Sequence, residues 1–275
     1  MTLSTIRNNP AKQKKVKTKK QKAIAATCAV AFWLLVWHVV SLCVGSELVL
    51  VSPVKVVQTL FTVIFDPDFL KTVWYSAARI LGGFFTALTL GTVLGWVASR
   101  FWVVETLLRP ITAVIKATPV ASFIILVLLW FSGKNLSVII SMLMVFPVIY
   151  MNVLEGIRSA DEKLLEMAQV FRLSVGKKLL YIYLPAVAPF FVSACSVSLG
   201  LCWKSGIAAE VIGTPDGSIG AVFYQAKIFL QTSELLAWTV VVVAVSAAFE
   251  KLFMFLLRLV LKKLKMEDVL NGKRA

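Results

Sequence analysis

Six separate apolar runs, each long enough or nearly long enough to cross a bilayer as a helix, constrain this chain more than anything else in it. They cover about residues 23–45, 73–98, 111–131, 136–154, 179–203 and 235–260. A hydrocarbon core about 30 Å thick takes roughly 20 mostly apolar residues at a helical rise of about 1.5 Å. The runs are continuous and do not alternate polar with apolar residues, which indicates helices rather than barrel strands. Composition agrees, with 59% hydrophobic and 16% charged residues over 275 positions. A soluble domain carries about 25% charged residues, and one of this length could not hide so much apolar surface. The expected fold class is therefore an all-α membrane protein with about six transmembrane helices.

The formal net charge is +15, and the basic residues lie mainly outside the apolar runs. Residues 1–22 form one basic tail and residues 261–275 another, flanking a membrane domain over 23–260. Lys and Arg concentrate on the cytoplasmic side of membrane proteins, so both termini are expected to be cytoplasmic. That requires an even number of spans, and six satisfies it. Arg100 and Arg109 then share one inner loop, and Arg158, Lys163, Arg172, Lys177 and Lys178 share the other. The N-terminal tail is expected to be disordered against anionic lipid of the inner leaflet. No aromatic-interleaved basic motif points to nucleic acid. Cys28, Cys43, Cys195 and Cys202 form no close pair, and His38 is the one histidine. Neither a disulfide framework nor a metal site is implied.

No catalytic set is visible in the runs, which argues against an intramembrane enzyme. An ion-gradient-driven secondary transporter is the alternative reading. It would be expected to show internal repeats with paired broken helices, and no convincing repeat relates the two halves. The stretch between Ser205 and Glu234 is interrupted by Gly206, Gly213, Gly217 and Gly220, and a re-entrant or surface-lying segment is expected there.

The inner loop at residues 155–178 is the most informative segment. Ser159 or Asp161 can cap a short helix whose first turn is acidic. Leu164, Leu165, Ala168 and Phe171 recur at helical spacing and form an apolar stripe. Gly176, followed by two lysines, would stop or turn that helix. A stripe on a water-facing loop needs a partner. Periodicity alone leaves open whether it folds back on the bundle and headgroups or docks another protein.

Glu166 and Ala168, followed by Ile182, Leu184 and Pro185, fall at the spacing of the Glu-x-Ala … Ile-x-Leu-Pro pattern. This resembles the EAA loop of permease subunits of ATP-binding cassette (ABC) importers. The family's glycine position falls on Arg172, and the nearest glycine is Gly176. The resemblance extends over roughly Ser76 to Leu256. It includes Ser76-Ala77-Ala78-Arg79 with Gly82 and Gly83, Arg109-Pro110, Pro119-Val120-Ala121, Trp130-Phe131, Glu155-Gly156-Ile157, and Glu210 with Gly217-x-x-Gly220. Together these are similar to the nitrate/sulfonate/taurine branch of that family.

The resemblance implies a type I importer-like bundle in a bacterial inner membrane, with a cytoplasmic coupling helix that lies in a groove of an ATPase subunit. Glu166, Ala168, Phe171, Arg172, Gly176, Ile182, Leu184 and Pro185 are then the ATPase-coupling residues. The implied partners are separate ABC ATPase subunits, a second permease copy, an extracytoplasmic solute-binding protein and membrane lipid. The chain has no G-x-x-x-x-G-K-[ST] sequence, so nothing in it is built to cradle ATP phosphates. ATP and Mg are expected on the partner, with no cofactor on this chain. Charges within spans cost roughly 2.5–3.5 kcal/mol on insertion scales, which makes Arg79, Lys204 and Glu210 candidates for the translocation path of a small anionic solute. The alternative is snorkelling for Lys204 and packing or pairing for Arg79 and Glu210. Gly82, Gly83, Gly91 and Gly95 are expected to let helices approach closely.

Overall fold

The computed structural model describes residues 19–264. The two basic tails therefore lie largely outside the described residues. The chain divides into two units, residues 1–55 and 56–275. The first holds α1 (Lys19–Val44), whose apolar stretch Ile24–Val44 is long enough to cross a membrane. Gly45 leaves that helix with φ +63, a left-handed backbone that glycine adopts without penalty. Ser52 then accepts the Lys55 N–H at 3.4 Å and Pro53 opens α2 (Pro53–Ile64), a position where a missing N–H is harmless.

In the second unit, α3 (Phe69–Arg100), α6 (Gly133–Arg158) and α9 (Leu184–Gly213) build the core, with α6 packed against both others. Buried residues from all three helices, among them Phe84, Ile149 and Leu199, form the main apolar cluster. α3 meets α6 along Gly83, Ala87, Gly91 and Gly95, spaced four apart so that they share one face. A Cβ on Gly83 would lie 2.4 Å from the Val138 carbonyl oxygen. Such small-residue stripes let helices approach in lipid, where no hydrophobic force drives them together. Gly82, expected to share this role, has open space beside it.

The third expected span departs from a single helix. α4 (Trp102–Ala117) and α5 (Val120–Leu128) together have the length and composition of a span, but they bend by 106°. Thr118 is extended, with ψ 133, and Pro119 with ψ 137. Proline disfavours the helical backbone in the residue before it, which places the break at that pair. Counted as one span, the bent pair brings the total to six, beside five long apolar helices.

The inner loop contains α7 (Glu162–Val170) and α8 (Val175–Lys178). A π-turn at Leu179–Tyr183 leads into α9, with the Leu184 N–H reaching the Leu179 carbonyl five residues back. Pro185 has no N–H to continue the ordinary ladder, a usual cause of such local rewinding. α9 runs ten residues past the expected end at 203. Gly206 does not break it, because its bare backbone packs against Ile80 and Ser141. The turn comes instead at Thr214 and Gly217, both with positive φ. The stretch expected to be re-entrant is thus the end of α9, a turn and α10 (Ile219–Ile228). α11 (Thr232–Lys263) closes the described chain.

Candidate functional site

α7 is defined at both ends by hydrogen bonds. Asp161, rather than Ser159, is its N-cap, and its carboxylate accepts the Lys163 N–H at 2.9 Å. The Ser159 hydroxyl donates instead to the Gly156 carbonyl at 2.8 Å. At the other end the Leu173 N–H donates to Ala168 O at 2.9 Å and the Arg172 N–H to Gln169 O at 3.0 Å. These two bonds form a Schellman motif, which places a left-handed residue at Arg172. Arg172 has φ 48. The turn therefore stays at the position where the family pattern has glycine, at a cost of about 1 kcal/mol for the side chain. Gly176, expected to stop the helix, lies instead in α8 with an ordinary helical backbone.

The expected stripe divides between two faces. Ala168 is fully buried, packed in one cluster with Ala160 and Ile182 and flanked by Leu165, Leu173 and Tyr183. The Glu-x-Ala and Ile-x-Leu-Pro segments thus meet through Ala168 and Ile182, while Leu184 packs towards Ala188 and Leu261. Successive helical residues turn by about 100°, which leaves Leu164, Met167, Val170 and Phe171 on a continuous outward arc. Their exposures are 43%, 45%, 79% and 71%. Leu165 and Ala168 therefore belong to the inward face, whereas Met167 and Val170, which the stripe omitted, belong to the outward one. Glu166 is exposed beside that arc.

Arg158, the last residue of α6, is ion-paired with Glu105 in the first turn of α4. The two residues lie 53 positions apart, and no local pattern links them. The pair ties the start of the α7 loop to the helix that leads into the Thr118–Pro119 elbow.

The three candidate path residues take separate roles. Glu210 is fully buried. The Ser76 hydroxyl donates to its Oε2 at 2.6 Å and the Gly220 N–H at 3.3 Å, while Ser76 Oγ accepts the Ile219 N–H at 2.9 Å. Glu210 and Ser76 thereby satisfy the first N–H groups of α10, which would otherwise be orphaned. Gly220 is needed for this contact, because a Cβ there would lie 2.2 Å from Glu210 Cβ. Arg79 is half-buried, donates to Asn135 Oδ1 at 2.9 Å and lies over the Tyr75 ring at 5.0 Å. Lys204 is exposed on α9. None of the three is ion-paired with another among the described residues. Ser76 was missed as Glu210's partner, since 134 residues separate them.

A family model described as "binding-protein-dependent transport system inner membrane component" matches residues 87–266. A putative aliphatic sulfonates transport permease protein of Bacillus subtilis (strain 168) is 29% identical over 232 residues, covering 83% of each chain. The taurine transport system permease protein of Escherichia coli (strain K12) is 27% identical over 220 residues, 78% of this chain and 80% of that one. A nitrate import permease protein of Synechocystis sp. (strain ATCC 27184 / PCC 6803 / Kazusa) is 25% identical over 214 residues, 74% and 76% respectively. Among solved structures, the fold is similar to a chain of an amino acid ABC transporter crystallised with histidines. The TM-score is 0.51 at 16% identity, covering 70% of this chain and 96% of that one.

Proposed function

This chain belongs to the family of binding-protein-dependent transport system inner membrane components, and from that premise we propose that the outward arc of α7 is its docking surface for an ABC ATPase subunit. The protein is a multi-pass permease subunit of an ABC importer, not an ion-gradient-driven transporter. Its transport work requires a motor on another polypeptide.

The observation that carries the docking proposal is the asymmetry of α7. One face is packed into its own chain through Ala168 and Ile182. The other presents Leu164, Met167, Val170 and Phe171 bare. A capped helix with one unpartnered apolar face suits a groove on a partner, which buries such anchors at i, i+3 and i+7 spacing. Glu166 and Arg172 flank the arc and supply charged contacts at its rim. Ala168, Ile182, Leu184 and Pro185 act from beneath, by holding α7 on the end of α9. Gly176 shapes the short helix that follows. Nucleotide-driven movement of the ATPase would reach α6 and α9 directly, because α7 lies between them in sequence, and α4 through the Glu105–Arg158 pair.

The remaining partners follow from the same reading: two ATPases carrying ATP and Mg, a second copy of this chain, and an extracytoplasmic solute-binding protein. Both termini face the cytoplasm of a bacterial inner membrane, in keeping with the basic tails. The proposed solute is small and anionic, of the sulfonate, taurine or nitrate kind, a class supported by the relatives' names. Specificity rests mainly with the solute-binding protein. Glu210 does not serve as a solute contact in this reading, because its carboxylate is enclosed by Ser76 and α10. Arg79 and Lys204 remain candidates for solute contact.

The test is to replace Val170 and Phe171 together with aspartate and to co-purify the chain with its ATPase. The expected outcome is loss of the ATPase from the complex at least tenfold, since a hot-spot anchor contributes about 2 kcal/mol or more. Membrane insertion and thermal stability should stay unchanged. Undiminished assembly and transport would exclude the docking role.

A further inference from the structure

Little of α11 is covered by the rest of its unit. One bare side carries Leu252, Phe255, Leu256, Leu259 and Val260, large apolar side chains of the kind that face acyl chains. Two cations border this side. Lys251 and Arg258 are both exposed and stand seven residues, about two turns, apart. Beside them Glu250 is half-buried and accepts a hydrogen bond from the Ser196 hydroxyl of α9 at 3.0 Å. The sequence suggests a local Glu250–Lys251 pair, but the carboxylate is turned to α9 instead. Ser196, Glu250, Lys251, Met254, Phe255 and Arg258 line a cavity of about 390 Å³ between the two helices.

Depth narrows what can fill it. α11 has 32 residues and is therefore about 48 Å long, roughly 18 Å more than a hydrocarbon core. Measured from Thr232, Lys251 lies about 28 Å along the helix and Arg258 about 39 Å. The cavity thus lies in the second half of α11, towards Lys262 and Lys263, where long cationic side chains can snorkel to headgroups. A charged residue facing lipid at that level needs a headgroup or water as its partner.

We propose that the α9–α11 groove binds the headgroup of a phospholipid bearing a primary amine, with its phosphate diester on Lys251 and Arg258 and its ammonium on Glu250. Two cations match the phosphate by charge-assisted hydrogen bonds. The carboxylate, oriented by Ser196, matches the ammonium. A headgroup with phosphate and hydroxyls alone offers Glu250 neutral O–H donors without the charge assistance of an ammonium, and a quaternary amine offers it no N–H donor. Met254 and Phe255 line the groove between the two cations. The proposal rests on the membrane-spanning reading of α9 and α11, and it is independent of the solute and of α7 docking.

Native mass spectrometry of the delipidated full-length chain tests it, with phosphatidylethanolamine, phosphatidylcholine and phosphatidylglycerol of equal chain length titrated in turn. The expected result is retention of phosphatidylethanolamine about fivefold above the other two, the ratio one net hydrogen bond supplies. Lys251→Gln with Arg258→Gln should bring all three to background. Glu250→Gln should lower phosphatidylethanolamine to the level of phosphatidylcholine. Equal retention of the three lipids by the unaltered chain would overturn the proposal whatever the variants do, and so would a preference for phosphatidylglycerol. A disulfide formed in membranes between two copies carrying Lys251→Cys would also overturn it, because a second chain would then cover the groove.

Discussion

α7 and α10 are built alike and used differently. They have nine and ten residues, and each is N-capped by its own side chain, Asp161 in one and Ser218 in the other. Each ends in a Schellman turn whose left-handed residue is not glycine, Arg172 at φ 48 and Leu230 at φ 55. The 6→1 bonds are Leu173 to Ala168 at 2.9 Å and Gln231 to Ala226 at 2.8 Å. What separates them is where the remaining groups go. The first N–H groups of α10 end on Ser76 and Glu210, which come from α3 and α9. Its leading residues Ile219 and Gly220 are buried. α7 draws only on local residues for its caps, and its bare apolar arc starts at Leu164 and runs to Phe171, whereas the large residues that α10 leaves bare, Tyr224, Ile228, Phe229 and Leu230, lie in its second half and C-terminal turn. One short helix closes a bundle, while the other leaves a capped face uncovered, the face proposed above to dock an ATPase.

The sharpest way to break this contrast is to remove the carboxylate at the closed helix. Glu210→Ala would orphan the Gly220 N–H and the Ser76 hydroxyl in a buried site. Each lost partner costs about 1–3 kcal/mol. The expected outcome is a large drop in folded yield and in thermal stability in detergent, on the order of 3 kcal/mol. The α7 arc, truncated by Leu164→Ala or Met167→Ala, should shift stability by no more than about 0.5 kcal/mol. Similar losses at both places would remove the distinction between them.

A smaller effect is expected where the two functions connect. Glu105→Arg or Arg158→Glu alone places like charges together between α4 and the end of α6, and the charge-swapped double restores a pair. ATP-driven uptake in reconstituted vesicles should fall several-fold in each single variant and recover at least partly in the double. The underlying coupling energy is about 1 kcal/mol. No recovery in the swap would mean that these residues act separately.

The smallest effect concerns the strained turn. Arg172→Gly should relieve the left-handed backbone and stabilise the α7 loop by up to about 1 kcal/mol. Slower amide hydrogen exchange over residues 161–173 would report it. Faster exchange would mean that the arginine side chain contributes more than the backbone strain removes.

The membrane class, the number of apolar runs, the α7 segment and its acidic cap were legible because each depends on local composition or spacing. The α4–α5 elbow was also written locally, in Thr118-Pro119, but an apolar run spanning that pair hid it. Gly206 read as a break, because the packing of Ile80 and Ser141 against it comes from distant helices. The orientation of α7 was only half legible. Periodicity finds an apolar stripe, but which side Ala168 faces depends on where Ile182 sits after the π-turn. The enclosure of Glu210 by Ser76 and the Glu105–Arg158 pair needed the fold itself.

In the proposed docking, α7 shows its partner one face and its own bundle the other. Site-specific photocrosslinking from within α7, in membranes containing the ATPase, tests it most directly. A crosslinker at Val170 or Phe171 should yield an adduct with the ATPase, and one at Leu165 should not. ATPase adducts from Leu165 with none from Val170 or Phe171 would contradict the account.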